Sequence, residues 1–288
     1  MASIRQIRGR LRSIQSTKQI MRAMQLVSAS KLKRAQGRLV QARSVLGFLD
    51  GLLDRVLAST TGLDHPLCNA REDLPSTLVV FTSDAGLCGS YNTNLIQLAE
   101  SSLRRDAARK TEVVYIGKKG YRYFTKRGFA AAASYLDLAG RPNPATAEQI
   151  GRALLERFTS KRTGSVQLLY SKFVSAMTYQ PTILQWLPIQ LKASQVTSHK
   201  SQVSEYIFEP TPKRIFEDLL PRWTLAKFQL VMLETFTSEH SARMIAMKNA
   251  TDNAEELLKS LTLLRNRIRQ AAITKEISEI VGTAEALK

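Results

Sequence analysis

RWTLAKFQLVMLETFTSEHSARMIAMKNATDNAEELLKSLTLLRNRIRQAAITKEISEIV, residues 222–281, contains neither glycine nor proline. Read as one helix it is roughly 90 Å long at about 1.5 Å per residue. The mean helix of a globular protein is only ~11–12 residues. Apolar and small residues recur through it at alternating three–four spacing: Met247, Ala250, Ala254, Leu257, Leu261, Leu264, Ile268 and Ala271. That spacing is a coiled-coil seam. The seam then moves to Ile273, Ile277, Ile280, Ala284 and Leu287. A shifted seam gives the last turns a different neighbour and an apolar face that needs a socket.

The opposite end repeats the arithmetic. No proline precedes Pro66. Ile4, Ile7, Leu11, Ile14, Lys18, Met21, Gln25, Ser28, Leu32, Ala35, Leu39, Ala42, Leu46, Leu49, Leu53 and Val56 keep the same spacing. The seam turns polar at 18, 25 and 28. Gly9, Gly37, Gly47 and Gly51 each cost about 1 kcal/mol relative to alanine in a helix. A seam this long calls for a long partner, and two such rods at the chain ends can pair. The plainer reading is an amphipathic helix laid on a globular core.

Charge separates the two rods. The first 49 residues hold no Asp or Glu, yet carry Arg5, Arg8, Arg10, Arg12, Lys18, Arg22, Lys31, Lys33, Arg34, Arg38 and Arg43. Residues 213–288 are nearly balanced by comparison. The whole chain has a net charge of +18 and a pI near 10.2. Such a balance points to acidic partners. Nucleic acid is one, but the aromatics that usually interleave such a surface are missing, Phe48 being the single example in the stretch. An acidic protein surface fits at least as well.

Between the rods the pattern changes. Residues 58–75 read as a linker. Strands are expected at 77–82, 112–117, 166–170 and 182–186, and helices at 92–106, 118–127 and 146–159. Strand–helix alternation predicts a small, mostly parallel α/β domain over 76–192. Residues 193–212 read as a polar linker, and Pro210, Pro212 and Pro221 punctuate the return to the second rod. The domain order is therefore 1–57 helix, 58–75 linker, 76–192 α/β domain, 193–212 linker, 213–288 helix and tip.

The first strand ends in Ser83-Asp84-Ala85-Gly86-Leu87-Cys88-Gly89-Ser90-Tyr91-Asn92. A glycine turn after a strand is where α/β proteins often hold phosphate. GxGxxG and GxxxxGK[ST] are both absent, so the chain has no evident nucleotide site. The readings left open are a tight turn, a protein-contact loop or a reactive Cys88. Gly117-Lys118-Lys119-Gly120 reads as a solvated basic turn. Two cysteines, Cys68 and Cys88, make no disulfide framework or zinc pattern. His65, His199 and His240 are scattered, so metal catalysis is not expected. No run of 18 apolar residues predicts a membrane span, and the N-terminus lacks the apolar core of a signal peptide. A reducing, cytoplasmic-type compartment is expected.

Several segments together resemble the gamma subunit of the F-type ATP synthase. They are Ile14-Gln15-Ser16-Thr17 with Met24-Gln25-Leu26-Val27-Ser28-Ala29-Ser30-Lys31, then Ser83 to Gly89, then Tyr206-Ile207-Phe208-Glu209-Pro210. Ser238-Glu239-His240 with Ala242 to Met247, Ala250-Thr251-Asp252-Asn253-Ala254, and Arg269 to Ile277 follow in order. The resemblance spans essentially the whole chain. It implies an antiparallel coiled coil of the N- and C-terminal helices with a small Rossmann-like, mostly parallel α/β domain inserted between them. It also implies a non-catalytic rotor shaft inside a hexamer of three alpha and three beta subunits. The epsilon subunit and the c-subunit ring lie at the shaft's base. Ring rotation, driven by ion flow, would cycle the catalytic beta sites. The chain itself would bind no cofactor, since ATP, ADP and Mg belong to partner subunits. It would not be a homo-oligomer, and would reach the membrane only through the ring.

Residue roles carry over by motif. Arg269, Gln270, Thr274 and Glu276 match catch-loop contacts with beta. Met24 matches the position facing beta's acidic lever, which Lys31, Lys33 and Arg34 would also oppose. Cys88 falls where the family touches beta. Tyr206 and Glu209 match the foot near epsilon and the c ring, and Ile277, Ile280 and Leu287 would ride in an apolar sleeve. Departures exist: Ala85 stands where members commonly have Arg, the order Lys18-Gln19-Ile20 replaces the commoner Lys-Ile, and the paired-cysteine insertion of chloroplast members is missing. Thiol switching is therefore not expected. Lack of a presequence favours the cytoplasmic face of a bacterial plasma (inner) membrane over a mature mitochondrial chain. The alternative reading is a basic coiled-coil nucleic-acid-binding protein.

Overall fold

A computed structural model describes residues 4–59, 63–105, 110–138, 140, 143–190 and 208–286. Helix α1 spans Ile4–Ser59, and helix α5, the last element, spans Pro212–Ala286. Between them come β1 (Ser76–Phe81), α2 (Tyr91–Arg105), β2 (Thr111–Ile116), α3 (Lys118–Thr125), β3 (Ala131–Tyr135), α4 (Pro144–Thr159), β4 (Ser165–Phe173) and β5 (Tyr179–Leu187). The chain forms two compact units. Met1–Ala29 with Arg243–Lys288 make the first, and Ser30–Ala242 make the second.

In the first unit the α1 seam is the covered face. Ile7 and Ser28 are buried, and Leu11, Ile14, Lys18, Met21 and Gln25 are half-buried. The seam's polar interruption is used: Lys18 Nζ lies 2.9 Å from Glu255 Oε2 across the helix pair. The hydrogen bond from Lys18, and then its charge, hold the Glu255 carboxyl below the usual carboxylate range. From Met247 onward the covered positions of α5 are Met247, Ala250, Thr251, Ala254, Leu258, Leu261, Thr262, Arg265, Asn266, Ile268 and Ala272. Leu257 (53 % exposed), Leu264 (43 %) and Ala271, expected in the seam, instead face outward. Met247, Ala254, Leu261 and Ile268 anchor the stripe in both registers. After Ala254 the sequence offers an apolar residue both three residues on (Leu257) and four residues on (Leu258), and the helix pair covers the second. From Ile273 to Thr283 every residue is exposed.

In the second unit α1 and α5 run antiparallel. Arg43 binds Glu234 at 2.7 Å, and one α1 helical stretch later Asp50 accepts Trp223 Nε1 at 2.5 Å. Numbers rise on one helix as they fall on the other. Leu32, Ala35, Leu39, Leu46, Leu53 and Val56 are buried, as their heptad spacing requires. Thr211 caps α5: its Oγ1 accepts from Arg214 N at 3.3 Å, with Pro212 at the first helical position, where a missing N–H costs nothing. Pro221, expected as punctuation, lies inside the helix. An interior proline costs ~3 kcal/mol. Phe216, Leu219 and Leu220 around it are all buried, and burying one such side chain stabilises by about 1.5–3 kcal/mol. Packing therefore overrides the local penalty.

The sheet has the order β3-β2-β1-β4-β5. β3, β2, β1 and β4 are parallel, and β5 joins β4 antiparallel. Alternate side chains feed two cores. Val79, Phe81, Val114, Ile116, Val166 and Leu168 pack with α4, α1 and α5, while Leu78, Val80, Val113, Tyr115 and Leu169 pack with α2 and α3. The strand β3 was not expected from sequence. Ala131-Ala132-Ala133 carries no β-branched signal, and its pattern is mostly exposed at the sheet edge. The turn after β2 is held closely: a Cβ on Gly117 (φ +100°) would sit 2.0 Å from Thr82 O.

Candidate partner-contact surfaces

The α1 cations divide into paired and unpaired. Lys18 and Arg43 have carboxylate partners. Among the described residues, Lys31, Lys33 and Arg34 form no ion pair. Lys33 and Arg34 are exposed, while Lys31 is half-buried beside the seam. Met24, in the first unit, is also half-buried. With no acid on the helix before Asp50, this face projects a single sign of potential into solvent.

The end of α5 offers a different surface. Arg269, Gln270, Thr274 and Glu276 are exposed. Thr274 Oγ1 donates back to Gln270 O at 3.0 Å, and Lys275 pairs with Glu279 at 3.5 Å. Ile273, Ile277 (56 % exposed), Ile280 (67 %) and Val281 form an apolar stripe beside these polar groups. Isolated exposed apolar residues need no explanation, but a stripe of them at helical spacing marks a contact surface. Leu287 lies outside the described residues, as does Tyr206. Glu209 is exposed and precedes a cis proline, Pro210.

The glycine turn is rigid. Asn92 takes Ser83 N on Oδ1 at 3.0 Å and donates from Nδ2 to Ser83 Oγ (2.8 Å) and Cys88 Sγ (3.1 Å). Ser83 Oγ donates to Ala85 O at 2.6 Å. Cys88 itself is buried, so its thiol is part of the staple. What the turn presents is Leu87, 60 % exposed and held at φ 62°, with exposed Ala85 and Gly89 on either side. A leucine in the left-handed region persists only where its surroundings impose it. Sequence reading singled out Cys88 and passed over Leu87. The glycines advertised the turn, but nothing in composition says which residue it holds outward. Among the described residues no group of His, Cys, Asp and Glu could hold a metal ion, and no helix is long and apolar enough to cross a membrane.

Residues 3–287 match the family model described as ATP synthase. The chain is 41 % identical over 284 residues to the ATP synthase gamma chain of Symbiobacterium thermophilum, covering 98 % of this chain and 97 % of that one. The chain belongs to the ATP synthase gamma-chain family. The gamma chain of Desulforamulus reducens is 40 % identical over 288 residues, with both chains fully covered. Among solved structures, a chain of the Euglena gracilis mitochondrial ATP synthase (OSCP/F1/c-ring, rotational state 3) superposes with a TM-score of 0.67. It is 20 % identical, with 99 % of this chain and 94 % of that chain covered. A rotor chain of the same enzyme in rotational state 1 gives 0.66 at 19 % identity, covering 94 % and 98 %. At that identity the likeness speaks for the fold. Gamma-chain membership accounts for a chain with no metal or nucleotide motif, since the gamma subunit is a non-catalytic part of its enzyme. The nucleic-acid reading finds no support in these matches.

Proposed function

We propose that this chain is the central rotor shaft of an F-type ATP synthase. It would couple rotation of a membrane c ring to conformational cycling of catalytic beta subunits. The observation that carries this reading is the end-to-end match to gamma chains, with no part of the chain left over for another activity. The surfaces supply the mechanism. A shaft drives sites around it only if its faces differ, because a ligand or contact shifts an equilibrium only through differential interaction. Here one helix carries no acid before Asp50, whereas the other mixes signs and ends in an apolar stripe.

In this reading Met24, Lys31, Lys33 and Arg34 oppose an acidic lever on beta. Arg269, Gln270, Thr274 and Glu276 meet its catch loop, and Ile277, Ile280 and Leu287 turn in an apolar bearing. The Cys88 turn touches beta through Leu87. Tyr206 and Glu209 belong to the foot, toward epsilon and the c ring. The stator is three alpha and three beta subunits. ATP, ADP and Mg are held there and not by this chain. The complex sits at the cytoplasmic face of a bacterial plasma (inner) membrane, which this chain reaches only through the ring. Exposed charge pairs are worth only about 0.2–1 kcal/mol each. The cationic face therefore orients and steers the rotor, while close contacts at the α5 end transmit force. Expression with alpha and beta subunits tests the reading: a stable complex with ATP-driven rotation is expected, and a chain that stays free overturns it.

A further inference from the structure

Helix α5 changes core as it runs. Phe228, Val231, Met232 and Phe236 pack on the α4 side of the sheet, and Ala242 packs on the α2–α3 side. To pass from one face to the other, the helix must cross an edge of the sheet. The crossing segment is Thr237-Ser238-Glu239-His240-Ser241, five polar residues in a row, each 0–3 % exposed. Five consecutive buried polar side chains on a helix are not a core pattern; buried polar groups stay in place because partners meet them.

The partners identify the edge. Ser238 Oγ donates to Ser171 O at 3.0 Å, near the end of β4. Ser241 Oγ donates to Ala176 O at 2.5 Å, in the β4–β5 turn. His240 Nε2 lies 2.9 Å from Gly140 O, in the β3–α4 connection, and since a carbonyl only accepts, Nε2 carries the proton. One turn earlier, Thr235 O accepts from the Tyr91 hydroxyl at 3.3 Å, where α2 begins. All four contacts gather at the carboxyl ends of the parallel strands. There the order β3-β2-β1-β4-β5 reverses direction, because β2 is added on one side of β1 and β4 on the other. In open α/β sheets this is the crevice that takes a ligand.

We propose that residues 237–241 of α5 occupy this crevice as an internal ligand, and that Ser238, His240 and Ser241 key the α/β sheet to the shaft helix. Apolar contact resists separation but lets a helix roll about its own axis. Hydrogen bonds to fixed backbone carbonyls are directional, and they set one rotational position. Donors that a nucleotide-binding sheet would aim at phosphate are replaced here by hydroxyls and an imidazole aimed at carbonyls. The same occupancy accounts for the missing glycine fingerprint after β1, since no pyrophosphate needs to approach it. In a rotor the joint passes torque between the sheet and the shaft, a consequence that rests on the proposed function above.

The test is angular. A rod is fixed to an exposed position on α2, such as Ser101, in the complex with alpha and beta subunits held on a surface without nucleotide. The variance of its angle is then recorded. Ser238→Ala with Ser241→Ala is expected to raise that variance about twofold, since it removes two of the directional bonds. Ser238→Thr, which keeps a hydroxyl, is expected to leave it near the wild-type width. Equal widths for the double variant and the wild type, in intact complexes, overturn the joint. A wild-type chain that forms no such complex overturns the rotor reading instead. In that case amide hydrogen exchange on the free full chain decides the joint. Residues 237–241 and the end of β4 should lose protection together in Ser241→Ala, and protection unchanged at either place refutes it.

Discussion

Arg43→Met removes one partner of a pair whose members are very differently placed. The Glu234 side chain is 6 % exposed and that of Arg43 44 %. Arg43 Nη2 donates both to Glu234 Oε1 at 2.7 Å and to Phe173 O at 2.9 Å. Tyr170 lies in the same cluster. Burial, with the Glu234 carboxylate beside it, pushes the Tyr170 hydroxyl pKa up, so it stays a neutral donor. Removing Arg43 strands a buried carboxylate and a carbonyl. Breaking a buried pair costs about 3–5 kcal/mol, and the half-exposed arginine places this case at about 3 kcal/mol. Glu234→Met leaves a cation that can turn to water, and costs about 1 kcal/mol. The double variant replaces both charges by apolar groups and should lie within about 1 kcal/mol of wild type. Trp186 and Trp223 are the chain's two tryptophans and both lie in the second unit, so urea unfolding followed by their fluorescence reads that unit. With a slope of about 2 kcal/mol per M, Arg43→Met should move the midpoint down by about 1.5 M. A shift below about 0.3 M, or a double variant worse than the two single changes combined, refutes the reasoning.

Three further outcomes are expected. Changing Lys31, Lys33 and Arg34 together to Glu should weaken binding to the alpha–beta complex, with a loss that shrinks as salt rises and the Debye length falls below about 8 Å; a salt-independent loss contradicts the electrostatic role. Arg269→Ala with Gln270→Ala should lower ATP synthesis in reconstituted vesicles by tenfold or more, roughly the effect of losing about 1.4 kcal/mol of coupling, while circular dichroism stays unchanged because both side chains are exposed; undiminished synthesis removes the assignment. Burial, helped by Asp64, pushes the Cys68 thiol up to about 11. It is therefore protonated at pH 8, and its alkylation rate should climb through pH 11, with Cys88 protected until the chain unfolds; a Cys68 rate at pH 8 equal to that of a free thiol would be inconsistent with this.

How much was legible depended on how many residues repeat the same message. Thirteen of the sixteen seam positions of α1 are apolar, and none of the seam positions from Ile7 to Val56 is exposed in the structure. On α5 the message was double, because Leu257 and Leu258 offered two stripes, and only the partner helix chose between them. β3 was silent because three alanines carry little strand preference, and backbone pairing with β2 alone made it a strand. Pro221 spoke locally for a break and was outvoted by buried Phe216 and Leu220. At the candidate surfaces, charge and spacing pointed to the α1 cations and the α5 end. Leu87 could not be found that way, because its exposure follows from the bonds that Ser83 and Asn92 make to Ala85 and Cys88 within the turn, which composition does not show. Residues 238–240 read as part of a family signature, yet Ser238, His240 and the adjacent Ser241 meet carbonyls of β4, the β3–α4 connection and the β4–β5 turn.

The central claim is that this chain turns inside a ring of alpha and beta subunits. The most direct measurement is single-molecule rotation of that complex, with a probe on the α/β unit and ATP supplied. Stepwise rotation in one direction, with three dwell positions per turn, is the expected result. A complex that hydrolyses ATP while the probe stays still, or that assembles and works equally well without this chain, would contradict it.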